Sequence, residues 1–176
     1  MDVIERVLKA AKGRIDLVLC GDDFGSQRGL LISPEKFNLL FAAKKQELFN
    51  LIHHHGAKVS HHCCGSSLKL IPRFIEIGMD AVQTIQPQAA GMNPYSLKQQ
   101  FGEQLTLHGA VDVQGWLQFA NPDEIEKEVY QLLDIVGAKG GYILSPSHNI
   151  QPDTPLENVL ALYGAVAKYR GEKSRF

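Results

Sequence analysis

The sequence predicts an α/β fold built on a parallel sheet, and three observations carry that prediction. Five short apolar runs alternate with longer helical patterns, the alternation expected of βαβ units. Runs such as IDLVLC are almost uninterrupted in their apolar character, which suits strands buried on both faces. Each run also ends in polar or special residues. In parallel α/β architectures the C-terminal strand ends form the active face.

In chain order, MDVIERVLKAAKGR is charged and helix-like rather than a signal peptide. The first run is IDLVLC (15–20). Ser33-Pro34-Glu35 then supplies an N-cap, a proline at the first helical position and an early acid. That helix should run to His53-His54-His55 and stop at Gly56. The histidine triplet reads as a solvated helix end, where cationic side chains favour the helix dipole. AKVSHH (57–62) and DAVQTI (80–85) follow, separated by a helical segment that ends at Gly78. LTLHGAV (105–111) precedes Asn121-Pro122-Asp123-Glu124, and a helical segment runs from there toward Gly137. GGYILSP (140–146) leads to Thr154-Pro155-Leu156-Glu157. In both tetrapeptides a capping residue stands three before Glu, the capping-box spacing. No low-complexity linker interrupts the series, so residues 1–176 are expected to form one domain.

The composition narrows the function classes. The chain has 176 residues, 44% of them hydrophobic, and a formal net charge of -1. That suits one globular domain with a sizeable core. A near-neutral balance gives no electrostatic reason to expect nucleic acid or an acidic membrane surface. No stretch approaches the roughly 18–20 apolar residues of a membrane span, and the expected compartment is the cytoplasm. Cysteines number three, Cys20, Cys63 and Cys64, two of them adjacent, which argues against a disulfide framework. Cys20 alone reads as core.

The strand tips hold the candidate chemistry. They are Gly21-Asp22-Asp23, His62-Cys63-Cys64-Gly65, Gln86-Pro87-Gln88, Asp112-Val113-Gln114 and Ser147-His148-Asn149. Side chains alternate faces along a strand, so His62 and Cys64 share one side and His61 and Cys63 the other. A pair two apart can reach one metal ion. Zinc takes imidazole nitrogen and thiolate sulfur, and a catalytic site commonly has three protein ligands and one open position. The third ligand must come from another tip. His148 is the first candidate, and His108, which lies before its strand's tip, is the second. The plain alternative is a packed polar strand end with inert thiols.

Taken in order, GDDFGSQRGLLISPEKF (21–37), HHCCG (61–65), GAVDVQ (109–114) and GGYILSPSHNIQPDTPLENV (140–159) resemble the uroporphyrinogen decarboxylase superfamily. That group includes the decarboxylase and zinc-dependent methyltransferases that work with corrinoid proteins. The resemblance implies a TIM-barrel-type (β/α)8 fold, of which the five strands match the last five. A partial barrel of about five parallel strands with flanking helices is therefore expected, with roughly three N-terminal βα units missing. Open edges on such a sheet invite self-association or a covering partner.

The methyltransferase branch carries His-x-Cys-Gly, which falls on His62, Cys64 and Gly65. Its third ligand is a cysteine in a Pro-x-Cys-Gly context, where this chain has Pro146-Ser147-His148-Asn149. The resemblance thus implies zinc held by His62, Cys64 and His148, with a substrate thiol taking a methyl group from a corrinoid carried by a partner protein. Asp112 is a candidate acceptor fixing the His62 tautomer. Asp22 and Asp23 are candidates for substrate binding or proton movement, with turn capping the structural alternative. Two other readings stand beside this one. In the decarboxylase branch a histidine in the His148 region binds a tetrapyrrole substrate, but Arg28 is the only arginine near a tip to meet its carboxylates. The chain could also be an inactive or split-barrel subunit.

Overall fold

A computed structural model of the chain describes residues 1–172. Five strands form a single sheet in the order β1-β2-β3-β4-β5, parallel throughout. They are β1 Leu17–Gly21, β2 Lys58–His62, β3 Ala81–Ile85, β4 Thr106–Val111 and β5 Tyr142–Pro146. Each overlaps the apolar run expected to form it. Helix α1 spans Asp2–Ala11. Helix α2, Pro34–Phe37, passes through a π-helical stretch at Asn38–Ala42 into α3, Ala43–His54. Helices α4 Ile71–Glu76, α5 Pro94–Phe101, α6 Pro122–Gln131 and α7 Leu156–Tyr169 follow the later strands.

Sequential strand order with right-handed crossovers puts every connecting helix on the same side of the sheet. Val59, His61, Val82 and Leu107 point to that side and are buried. The opposite side carries Leu17, Leu19, His62, Gln83, His108 and Ile143, and Leu17, Leu19 and Ile143 are 41%, 57% and 39% exposed. The expectation of strands covered on both faces is therefore corrected for the edge strands. β1 and β5 are open on this face and along their outer edges, whereas Ser60 and Ala81 on the same face of β2 and β3 are buried.

Local chemistry explains most of the helix ends. The Ser33 hydroxyl accepts the Lys36 N–H at 3.3 Å. Asn121 and Glu124 form the expected capping box, with bonds of 3.0 and 2.8 Å. Gly56 takes a φ of +82° after α3, a conformation that suits glycine. Two expectations fail. Thr154 does not cap α7: the helix starts one residue later, Pro155 holds the cap position in an extended conformation, and no side chain bonds the first turn. Nor is the histidine triplet at the end of α3 uniformly solvated. His53 Nε2 meets Asp80 Oδ2 at 2.6 Å, and the same carboxylate accepts from Lys58 Nζ at 3.1 Å and Val59 N–H at 2.8 Å. Burial opposes ionisation of Asp80. The Val59 N–H, His53 and Lys58 outweigh it and hold the carboxyl below the usual range.

Behind β1 and β2 the core is aromatic. Phe37 and Phe74 lie edge to face at 4.9 Å, and Phe24 meets Phe37 at 5.2 Å. All three are buried. Each such ring contributes about 2–3 kcal/mol through the apolar area it removes from water. This cluster packs behind the tips of β1 and β2, with Phe24 directly after the β1 tip. Among the described residues, no helix is long and apolar enough to cross a membrane.

Candidate metal centre

The strand register brings the site together. Gly21 pairs with His62, His62 with Gln83, and Gln83 with His108, so the three polar side chains form one row across the open face. His108, read from the sequence as short of its tip, stands level with His62. Space beside His62 depends on Gly21. A Cβ there would lie 2.6 Å from His62 Cβ and 2.8 Å from its carbonyl oxygen.

At the end of β2, His62 and Cys64 face each other as strand alternation requires, with Nε2 and Sγ 3.2 Å apart. Asp23 arrives from the tip of β1. Its Oδ1 accepts the Cys64 N–H at 2.8 Å and stands 3.6 Å from His62 Nε2. Among the described residues, Asp23, His62 and Cys64 are a group whose ligand atoms all lie within 4.8 Å of one another. Tetrahedral zinc, with bonds of about 2.0–2.3 Å, separates neighbouring ligand atoms by about 3.3–3.5 Å. The spacings of 3.2 and 3.6 Å fit that geometry.

Gln83 completes the arrangement. Its Oε1 accepts from His62 Nδ1–H. That bond leaves the Nε2 lone pair directed at Cys64 and Asp23, the tautomer a metal requires. The expected partner, Asp112, is occupied elsewhere: it accepts from Gln88 Nε2 at 3.0 Å and from Gln114 N–H at 2.8 Å. Gln83 stands on the neighbouring strand in register with His62, whereas Asp112 lies just past the end of β4, the second strand over. The glutamine in the middle of DAVQTI was the available signal, a long polar side chain inside a strand-forming run.

His148, at the tip of β5, lines with His62, Gln83, Ser147 and Asn149 an open cleft of about 510 Å³. It shares the cleft with His62 but stands outside the three-residue group. β5 is three strands from β2, about 14 Å along the sheet at the usual strand spacing. Burial first, then the Asp23 carboxylate, pushes the Cys64 thiol up. A metal would have to displace that proton.

The alternate residues turn the other way. Cys63 is buried and accepts the Phe24 N–H at 3.3 Å, and burial pushes its thiol up. His61 packs against Phe74 at 4.4 Å and accepts from Lys45 Nζ at 2.9 Å. Burial, reinforced by the Lys45 charge, drives His61 down to about 3, so it is neutral near pH 7. Asp22 accepts from the same ammonium at 2.6 Å. Arg28 lies on a separate groove with Ser33, Ser66 and Lys69.

Similarity to known proteins follows the same outline. A uroporphyrinogen decarboxylase from Geotalea daltonii is 30% identical over 145 residues, which is 78% of this chain and 38% of the relative. One from Coxiella burnetii is 31% identical over 72 residues, 41% of this chain and 19% of that protein. Among solved structures, a methyltransferase from Methanosarcina mazei superposes with a TM-score of 0.68 at 20% identity, over 96% of this chain and 48% of that one. The chain thus spans less than half the length of these relatives, and its fold is an open arc of a (β/α)8-type barrel. Residues 3–169 match the uroporphyrinogen decarboxylase (URO-D) family, and the chain belongs to that family.

Proposed function

We propose that this chain carries the zinc-binding half of a methyl-transfer site. The observation that carries the reading is the spacing of Asp23, His62 and Cys64, with Gln83 fixing the imidazole. Asp23, His62 and Cys64 would hold the ion as three protein ligands. With one thiolate and one carboxylate, that set neutralises a divalent cation. His148, the third ligand implied by the family resemblance, takes the alternative role of contacting substrate across the cleft or replacing Asp23. Bound zinc would supply charge that lowers the pKa of a substrate thiol and makes it a nucleophile near neutral pH. The protein's own part is to orient that thiol in the cleft beside His62 and Pro146–Asn149. The methyl group would come from a corrinoid held by a partner protein.

A second reading has its own support: the relatives 30% and 31% identical are named as decarboxylases. Under it, His148 and the polar row His62–Gln83–His108 would contact a tetrapyrrole, and no metal is needed. In either reading, barrel units or a partner would cover Leu17, Leu19 and Ile143, whose exposure also keeps a split-barrel subunit in view.

The test is a paired assay on the zinc-loaded chain. Methylcobalamin and a small thiol serve as probe substrates, followed by loss of the cobalt–carbon chromophore, and uroporphyrinogen consumption is measured alongside. Zinc-dependent methyl transfer, absent in Cys64→Ala, is the expected result. Porphyrinogen turnover without methyl transfer favours the second reading. Inactivity in both arms, restored by adding the remaining barrel units, favours the split form.

A further inference from the structure

The least expected residue in the fold is Lys45, on α3 behind the sheet. It is only 8% exposed, and its ammonium lies over the Phe24 ring at 5.3 Å. A charge in such surroundings is costly unless it is paired. Lys45 has two partners: Asp22 Oδ2 at 2.6 Å and His61 Nε2 at 2.9 Å. Those partners are the chain neighbours of Asp23 and His62. One buried cation therefore ties down the residue before each of two candidate metal ligands, and it does so from the opposite side of the sheet.

The backbone closes the same unit. Asp22 N–H donates to the His62 carbonyl at 3.2 Å, and Cys64 N–H donates to Asp23 Oδ1 at 2.8 Å. The tip of β1 is exposed at Gly21, Asp22 and Asp23, so on its N-terminal side Asp23 is held only by these bonds, while Phe24, buried directly after it, anchors the other side. Asp22 is 60% exposed along its side chain, while Lys45 is fixed in the core. The anchor is therefore the lysine, and the aspartate is the part that would otherwise move.

We propose that Lys45 is a positioning residue: through Asp22 and His61 it fixes the β1 and β2 tips so that Asp23 stands within ligand distance of His62 and Cys64. It touches neither metal nor substrate. This rests on the zinc reading above for its functional consequence, but its structural content can be read without metal.

The experiment compares wild type, Lys45→Met and Asp22→Asn, with folding checked by near-ultraviolet circular dichroism. Cobalt(II) is the probe metal, titrated against a competing chelator and read by its visible absorption. Amide hydrogen exchange at Asp22, Cys64 and Val59 is followed by NMR on the metal-free proteins. The expected result for Lys45→Met is cobalt affinity at least tenfold weaker, an altered absorption band, and faster exchange at Asp22 and Cys64, with Val59, bonded to Asp80, unchanged. Asp22→Asn should show a smaller loss of the same kind and carries the test if Lys45→Met does not fold. A lysine that only stabilises the core would lower the melting temperature without moving the spectrum or those two amides, and that result overturns the proposal. If wild type takes up no cobalt, the zinc reading fails, and the exchange data alone decide: selective loosening of Asp22 and Cys64 upholds the positioning role, and unchanged exchange ends it.

Discussion

Replacing Gln83 with leucine removes the acceptor of His62 Nδ1–H while keeping a side chain of similar size on the open face. The imidazole then loses the bond that fixes its tautomer and ring orientation. Comparable partners of metal-bound histidines are worth about 10–100-fold in metal affinity, or about 1.4–2.7 kcal/mol. Gln83 is half-buried and packs no large part of the core. The cost to folding should therefore stay below about 1 kcal/mol. A zinc competition titration at neutral pH, run beside a urea melt, separates the two effects. Gln83→Leu should bind zinc at least tenfold more weakly at nearly unchanged stability. Gln83→Glu, which keeps an acceptor in place, should retain or raise affinity. If Gln83→Leu bound zinc within twofold of wild type, the bond to His62 would have no part in preparing a metal ligand.

Three further outcomes test the frame around the site. Asp80 is held below its usual range in the fold, so its stabilisation is fully present above an unfolded pKa of about 3.9 and is lost as pH falls through the folded value. Urea melts from pH 5 to pH 3 should thus show a shallower loss of stability in Asp80→Asn than in wild type, and Asp80→Asn should be weaker at pH 7. Phe74→Ala empties a buried position against Phe37 and His61 and should cost about 3–5 kcal/mol in a chemical melt. Asn121→Ala removes the capping box of α6 and should cost about 1 kcal/mol, with zinc affinity untouched.

The sequence was most legible where the physics is local. Apolar runs marked all five strands, and Ser33 and Asn121 marked their helix starts, because each signal lies within a few residues of its consequence. Strand alternation likewise separated His62 and Cys64 from His61 and Cys63. What stayed hidden depends on register between distant segments. That Gln83 rather than Asp112 meets His62 follows from the pairing of β2 with β3. That Asp22 and Asp23 divide their work, one toward Lys45 and one toward Cys64, follows from where α3 crosses behind the tips. The exposure of Leu17 and Leu19 was also invisible, since an apolar run reads the same whether or not its second face is covered. Thr154 had the capping spacing, yet the start of α7 fell one residue beyond it.

Metal analysis joined to X-ray absorption tests most directly whether the tips of β1 and β2 form one zinc site. The purified chain should hold close to one zinc, with a single sulfur neighbour at about 2.3 Å and the remaining nitrogen and oxygen neighbours at about 2.0–2.2 Å. His62→Ala and Cys64→Ala should each lose the metal, and comparison of Asp23→Ala with His148→Ala should identify the third ligand. A folded wild-type chain that neither carries zinc nor takes it up when zinc is added would contradict the account.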